Sequence, residues 1–293
     1  MEKVQQVIEQ FDLDVLSIED VPESYSSSVY KVKLKDHQTV FIKIPYSKVK
    51  LERGYAVLKR LQDELPVPQV LNYWEGNEDI TGAFLLSAID GLPISGEVDV
   101  DLAYDIGVIH GKLHSIEPNE EDFNSSVSNE YEQWTEFIKT QFYSFAEDVK
   151  EVIDSRLYEQ SLHYFEQHQK LLPSPDGPRF VHMDFRPGNI LVNGNKVVGI
   201  IDFESVRIGS TEIDFTKINR DIFVKYPGTI EAFQKGYESI RPIIDLQTVL
   251  PFYRFIDAFN SIGWCKRRGI EKNKSFLQEN LAYLKDFLED GLT

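Results

Sequence analysis

The stretch that decides the fold is HMDFRPGN at residues 182–189, followed by IIDF at residues 200–203. Within it, Asp184 is a carboxylate that can orient a hydroxyl and take its proton during phosphoryl transfer. Asn189 offers a neutral oxygen ligand to Mg²⁺, and Asp202, at the end of an apolar strand-like run, offers a charged one. The stretch therefore predicts a site that moves the γ-phosphoryl of a nucleotide to a hydroxyl.

Length and charge restrict the classes of protein that fit. The chain has 293 residues, of which 42% are apolar, which is enough for one large domain or two lobes with a cleft between them. A formal net charge of −17 disfavours binding to nucleic acid or to an anionic membrane surface. The single cysteine, Cys265, excludes an internal disulfide. No apolar run is long enough for a transmembrane helix and the N-terminus lacks a secretion signal pattern, so we expect a cytoplasmic protein.

The first 90 residues are typical of strands around one helix. Residues 28–34, 39–44, 69–74 and 83–87 are rich in β-branched and aromatic residues, and residues 48–61 repeat apolar side chains at helical spacing. In the second of these strands Val40, Ile42 and Ile44 alternate with Lys43. The lysine is therefore predicted to lie on the face opposite the three apolar side chains.

Two glycines and a proline at residues 88–96 mark the predicted boundary between an N-terminal lobe, residues 1–88, and a C-terminal lobe, residues 89–293. We place the hinge near residues 87–93. Beyond it the pattern is mainly helical, and a β-rich insert at residues 180–202 carries the opening motif. The aromatic residues of the segment 252–264 are expected to be core.

The motif resembles the catalytic region of the aminoglycoside phosphotransferase and choline kinase-like enzymes, a family of small-molecule kinases related in fold to protein kinases. The family pattern is His-x-Asp-x-x-x-x-Asn followed by Ile-Asp-Phe or Ile-Asp-Trp, and both parts are present here. The resemblance implies an α+β, bilobal, protein-kinase-like fold. It has an antiparallel sheet and one main helix in the N-lobe, and a larger, mainly helical C-lobe whose small β-insert carries the catalytic loop.

The resemblance also implies roles for single residues. Lys43 matches the lysine that contacts the α- and β-phosphates of ATP or GTP, and the backbone of Ser87, Ala88 and Ile89 matches the hinge that holds the base. Asp214 matches an aspartate that braces the catalytic loop. We expect the same supporting role for His182.

Arg186, two residues after the predicted base, is expected to stabilise the transferring phosphoryl group or to pair with Asp184. Ser26, Ser27 and Ser28 fall where a phosphate-positioning loop belongs, although a polar hairpin turn would use the same residues.

One position departs from the family pattern. The helix after the lysine strand usually carries a glutamate that pairs with that lysine, and this chain has Gly54 there. Glu52 lies about 200° away around an ideal helix. Either Glu52 reaches Lys43 across a distorted first turn, or Lys43 is held differently.

The sequence leaves the acceptor open. The leading prediction is a Mg²⁺-dependent O-phosphotransferase acting on a small molecule, with antibiotic resistance as one role. The alternatives are a choline, ethanolamine, homoserine or sugar-type metabolite kinase, or a nucleotide-binding pseudokinase. A protein kinase is disfavoured because little chain separates Asp202 from Asp214. The acidic composition favours a cationic or amino-bearing acceptor, for which Asp257 and Asn260 are candidate ligands.

Overall fold

The N-terminal lobe is built on a five-stranded antiparallel sheet with the strand order β1-β2-β3-β5-β4. The computed structural model describes residues 2–21 and 27–290, and for Asp290 only the backbone. The strands are β1 (Val15–Asp20), β2 (Ser27–Leu34), β3 (Thr39–Pro45), β4 (Val70–Trp74) and β5 (Ala83–Ser87). Helix α1 (Glu2–Gln10) precedes the sheet, and helix α2 (Lys48–Leu61) connects β3 to β4.

The two faces of the sheet are covered by different helices because β3 alternates as predicted. Val40, Ile42 and Ile44 are buried in a cluster that includes Val4 and Val7 of α1. Lys43 lies on the other face, which is turned toward α2 and the cleft. The predicted helix at residues 48–61 is observed with the same bounds, and Ser47 caps it by accepting a hydrogen bond from the Lys50 N–H.

The C-terminal lobe is mainly helical, as predicted. Its helices are α3 (Val100–Ser115), α4 (Glu120–Phe123), α5 (Trp134–Tyr143), α6 (Ala146–Lys150), α7 (Ser155–His168), α8 (Phe215–Ile218), α9 (Ile230–Glu238), α10 (Leu246–Arg268) and α11 (Lys274–Asp290). The α+β, bilobal prediction is confirmed. Among the helices of the described residues, none combines the length and the apolar character that a membrane crossing requires.

Two small sheets carry the predicted motif. Strands β6 (Leu92–Pro93), β8 (Ile190–Asn193) and β9 (Lys196–Ile200) form an antiparallel three-stranded sheet in that order. Strand β7 (Arg179–Val181) pairs with β10 (Arg207–Gly209). The motif therefore spans the loop from β7 to β8 and the turn that follows β9.

Aromatic side chains and close helix contacts hold the larger lobe together. Phe252, Phe255 and Phe259 of α10 are buried, and Trp264 packs against the same core, as the sequence predicts. Helices α3 and α9 cross so closely that a Cβ atom on Gly107 would lie 2.1 Å from the carbonyl oxygen of Phe233. A Cβ on Gly236 would meet the carbonyl of Tyr104 at the same distance. Glycine is required at this crossing because backbone packs on backbone.

Candidate active site

The loop and the turn that hold the motif are joined by strand pairing. Ile201 N–H donates to the carbonyl of Asn189 at 3.0 Å, directly beyond the β8–β9 ladder. Asn189 ends a 3₁₀ turn that begins at Pro187, and Asp202 follows β9 in the left-handed region, with φ of 70°. The pairing thus brings the amide of Asn189 beside the segment that carries the Asp202 carboxylate.

Asp184 is surrounded by donors on both carboxylate oxygens. The Asn189 side-chain amide donates to its Oδ2 at 2.9 Å, and Arg186 Nε approaches the same oxygen at 3.2 Å. Lys217 Nζ, from α8, binds Oδ1. Burial alone raises the pKa of Asp184, but the charges of Lys217 and Arg186 lower it to about 2. The carboxylate is therefore ionised at neutral pH and held in one orientation.

Lys43 lies between two carboxylates of the C-terminal lobe. Its Nζ is 2.7 Å from Asp202 Oδ1 and 2.9 Å from Glu204 Oε1. Burial alone lowers the pKa of Lys43, but the two carboxylates raise it above its ordinary value. In turn, the Lys43 charge outweighs burial at Asp202 and lowers the pKa of that carboxyl. The lysine strand and the motif therefore meet across the cleft between the lobes.

Glu204, and not Glu52, is the glutamate that contacts Lys43. Glu52 is exposed on α2, whereas Glu204 is buried and contacts Lys43 directly. Gly54 lies against Phe84, where an added Cβ would sit 3.3 Å from the ring. Lys43 is thus held differently from the family pattern, by an acidic residue two positions after Asp202.

Two further side chains of α2 contact the same segment. Arg53 donates to the carbonyl of Glu204 at 3.2 Å and to the Ser128 hydroxyl at 3.3 Å. Lys50 Nζ lies 3.7 Å from Glu204 Oε2. The helix that supplies a glutamate in the family pattern here supplies cations, and the acid comes from the opposite lobe.

Asp214 accepts two backbone hydrogen bonds from the catalytic loop. His182 N–H donates to its Oδ2 at 2.5 Å, and Met183 N–H donates to its Oδ1 at 2.6 Å. His114 Nε2–H also donates to Oδ2, at 3.2 Å. The His182 ring donates through Nε2 to the Ile201 carbonyl at 3.0 Å, which links the loop to the Asp202 segment. These contacts fix the backbone that directly precedes Asp184 and tie it to the Asp202 segment.

The predicted nucleotide-binding serines and hinge residues lie in β2 and in the segment that begins at the end of β5, with one exception. Ser27 and Ser28 belong to β2, where Ser28 pairs with Ile44, and Ser26 lies outside the described residues. Ser87 ends β5 and its hydroxyl accepts the Gln69 N–H at 2.9 Å. Ala88 and Ile89 follow it, and the Ile89 carbonyl accepts from Gly91 N–H at 2.9 Å.

The two predicted acceptor ligands lie on α10. Asp257 is bound by Arg220 at 2.9 Å and by Arg254 at 3.3 Å, so its charge is already neutralised. Asn260 lies three residues further along α10. Neither residue lines the cavity of about 240 Å³ beside Arg186.

Sequence reasoning missed Glu204, Lys217 and Arg53. The signal for Glu204 was its place within Asp-Phe-Glu, and the signal for Lys217 was its place three residues after Asp214. Both are charged residues, and only their contacts in the folded protein distinguish them from solvent-exposed surface residues.

The fold and the site together define a kinase-type phosphotransferase. A family model described as the phosphotransferase enzyme family matches residues 17–255. The chain belongs to this family, and the predictions of the family and of an enzyme that transfers phosphoryl groups are confirmed. No curated protein matches the sequence.

Solved structures show the same fold over nearly the whole chain. A complex of APH(2")-IIia with GDP and kanamycin has a TM-score of 0.77 at 17% identity and covers 99% of each chain. Macrolide 2'-phosphotransferase MphH from Brachybacterium faecium has a TM-score of 0.70 at 11% identity, with 97% and 96% covered. Spectinomycin phosphotransferase APH(9)-Ia with ADP and spectinomycin has a TM-score of 0.64 at 18% identity, with 97% and 96% covered. At these identities the likeness establishes the kinase-like fold.

Proposed function

We propose that the protein transfers the γ-phosphoryl group of ATP or GTP to a hydroxyl of a small molecule, with Asp184 as the proton acceptor. The observation that carries the proposal is the contact network of the motif. Asn189 is 2.9 Å from Asp184, and Lys43 reaches across the cleft to within 2.7 Å of Asp202. A base, metal ligands and a phosphate-binding lysine thus adjoin one cleft, as phosphoryl transfer requires.

The donor set fits Mg²⁺. Asp202 contributes carboxylate oxygens with 35% side-chain exposure, and Asn189 donates through its amide nitrogen to Asp184, which leaves its amide oxygen as an acceptor. Hard oxygen ligands of this kind suit Mg²⁺, which keeps several waters and binds nucleotide phosphates. When bound, the ion would neutralise charge on the phosphates.

Each residue of the site has a separate proposed role. Asp184 orients the acceptor hydroxyl and accepts its proton, while Lys217 and Arg186 hold the carboxylate in place. Lys43 exchanges its contact with Asp202 for the nucleotide phosphates. The backbone of residues 87–89 is the proposed place for the base. Solved structures of the same fold with GDP or ADP bound support the use of a nucleotide.

The pseudokinase alternative loses its main support. Gly54 favours a pseudokinase only because it removes the glutamate expected to pair with Lys43, and Lys43 has two carboxylate partners, Asp202 and Glu204. We therefore propose an active enzyme in the cytoplasm, where the single cysteine, Cys265, remains a buried thiol.

The proposal is tested with Mg-ATP and Mg-GTP against antibiotics, amino alcohols, hydroxy acids, sugars and peptides, with phosphorylated product detected by mass spectrometry. Asp184→Asn should lower kcat about 10²–10⁴-fold with little change in nucleotide affinity, because proton acceptance contributes on that order. Asp202→Asn should weaken binding of the Mg-nucleotide. Asp101→Asn, an exposed aspartate on α3, is the matched control and should behave as wild type. Full turnover in Asp184→Asn would refute the assignment of the base.

A further inference from the structure

Cations gather beside the catalytic loop. Arg186 and Lys217 contact Asp184, and Arg186 and Lys225 line the cavity of about 240 Å³ that opens beside the loop. Gly188 makes room for this arrangement, since an added Cβ would lie 2.8 Å from Arg186 Nη1. The guanidinium thus lies over the turn and borders the cavity at the same time.

The acidic residues nearest the cavity are already neutralised. Asp221 lines it, but both of its oxygens are bound by Arg220, at 2.8 and 2.9 Å. Asp257, the residue that the sequence suggested for an amine, is held by Arg220 and Arg254. Asp184 is shared by two cations, Arg186 and Lys217, and Lys225 adds a further positive charge at the cavity. The local charge is therefore better suited to an anion than to an ammonium group.

Charges close to the cavity determine which ligand charge it prefers more than the net charge of the chain does. The chain carries −17, which favours cations at long range. At physiological ionic strength, however, exposed charges are screened over about 8 Å. A guanidinium that lines the cavity acts within that distance, and its planar donors match a carboxylate or a phosphate.

The size of the cavity points the same way. Its volume of about 240 Å³ is below the ~300–1,000 Å³ usual for sites of drug-sized ligands. The Ser95 and Tyr226 side chains line it beside the two cations and can donate further hydrogen bonds. A compact polar group fits these walls.

We propose that the acceptor is a small alcohol that carries an anionic group, a carboxylate or a phosphate, which binds Arg186 and Lys225 while its hydroxyl reaches Asp184. This inference rests on the proposed function. The acceptor oxygen forms a bond to the γ-phosphorus, the bond from that phosphorus to the β–γ bridging oxygen breaks, and the nucleoside diphosphate leaves. The hydroxyl proton passes to Asp184.

The test compares acceptors that differ only in charge. A short hydroxy acid, its neutral amide and the corresponding amino alcohol are assayed with Mg-ATP, together with a sugar phosphate, its parent sugar and kanamycin. We expect kcat/KM for at least one anionic acceptor to exceed that of its neutral analogue by 10-fold or more. The hydroxy acid and the sugar phosphate separate the carboxylate source of the anion from the phosphate source.

Variants test the residues. Lys225→Gln should raise KM for the anionic acceptor 10-fold or more while kcat changes much less, and Lys225→Arg should restore KM. Lys235→Gln, an exposed lysine on α9 that does not line the cavity, is the matched control. An unchanged KM in Lys225→Gln would overturn the inference.

Further outcomes separate this inference from the proposed function. Faster turnover of the amino alcohol or of kanamycin overturns the anionic acceptor but leaves the kinase intact. Calorimetry with a non-hydrolysable nucleotide runs in parallel, and failure of every anionic compound to bind overturns the inference whatever the turnover. Turnover that survives Asp184→Asn refutes the proposed mechanism instead.

Discussion

At the scale of single residues, Glu204 shows how Lys43 is held. It is buried, with 4% of its side chain exposed, and lies 2.9 Å from Lys43. In the proposed function, a carboxylate at this place would position the ammonium group for phosphates, which is the role of the helix glutamate in the family pattern. The carboxylate comes here from the same segment as Asp202, so one short stretch of chain supplies both partners of the lysine.

Glu204→Gln should lower kcat/KM for the nucleotide about 10–100-fold, which corresponds to ~1.4–2.7 kcal/mol. The reason is that Lys43 loses one of two charged partners in a largely buried place. Glu52→Gln is the matched control, because Glu52 is exposed on α2. Steady-state kinetics with varied Mg-ATP measure both. Equal effects of the two substitutions would show that Glu204 does not position Lys43.

The sequence predicted candidate site residues whose chemistry and spacing lie within one segment. Asp184, Asn189 and Asp202 were predicted because strand ends and a tight turn constrain them locally. Lys217 and Glu204 were not, because their roles depend on contacts with residues 33 and 161 positions away. Asp257 was suggested as an acceptor ligand from its place on a helix, and no sequence pattern shows that Arg220 and Arg254 bind it.

At the scale of elements, boundaries were predictable where local signals exist. Helix α2 has a serine cap at its start and prolines after its end, and its bounds match the prediction. The strands Leu92–Pro93 and Arg207–Gly209 gave no signal, because they are strands only through pairing with β8 and β7. The region beyond the hinge was predicted to be mainly helical, but its division into separate helices such as α9, α10 and α11 was not predicted.

The crossing of α3 and α9 gives a prediction about stability. Gly107→Ala should destabilise the protein by about 2 kcal/mol or more, since overpacking outweighs the ~1 kcal/mol that alanine gains over glycine in a helix. The added Cβ would lie 2.1 Å from the Phe233 carbonyl oxygen. Urea denaturation measures the change. Gly228→Ala is the control, with no atom within 4 Å of the added Cβ, and similar midpoints for both variants would contradict the argument.

At the scale of the whole molecule, a buried acid makes stability depend on pH. Glu212 is 3% exposed, and burial raises its pKa to about 7. Its ordinary pKa in an unfolded chain is about 4.3. The unfolded chain therefore releases this proton at lower pH than the folded protein does. The contribution of Glu212 to stability declines as pH rises from about 4 and reaches its lowest value above about 7.

Glu212→Gln should consequently stabilise the protein at pH 8 by up to about 3 kcal/mol, and by much less at pH 5. Glutamine can keep both contacts, accepting from Asp176 N–H and donating to the Ser210 hydroxyl oxygen, where Glu212 now accepts from both. Denaturation midpoints at the two pH values measure the difference. Glu238→Gln, at an exposed position of α9, is the control, and a stabilisation of Glu212→Gln that is equal at both pH values would argue against the raised pKa.

The cation–carboxylate contacts of the cleft also explain how so acidic a chain can admit a polyanion. Asp184, Asp202 and Glu204 each have a basic partner within 3.2 Å, drawn from Lys217, Arg186 and Lys43. These paired charges of the cleft are thus close to electroneutral inside a molecule of net charge −17. The triphosphate that the proposed function requires therefore meets no unpaired cluster of negative charge. The same basic groups can exchange their carboxylate partners for phosphates without leaving the cleft.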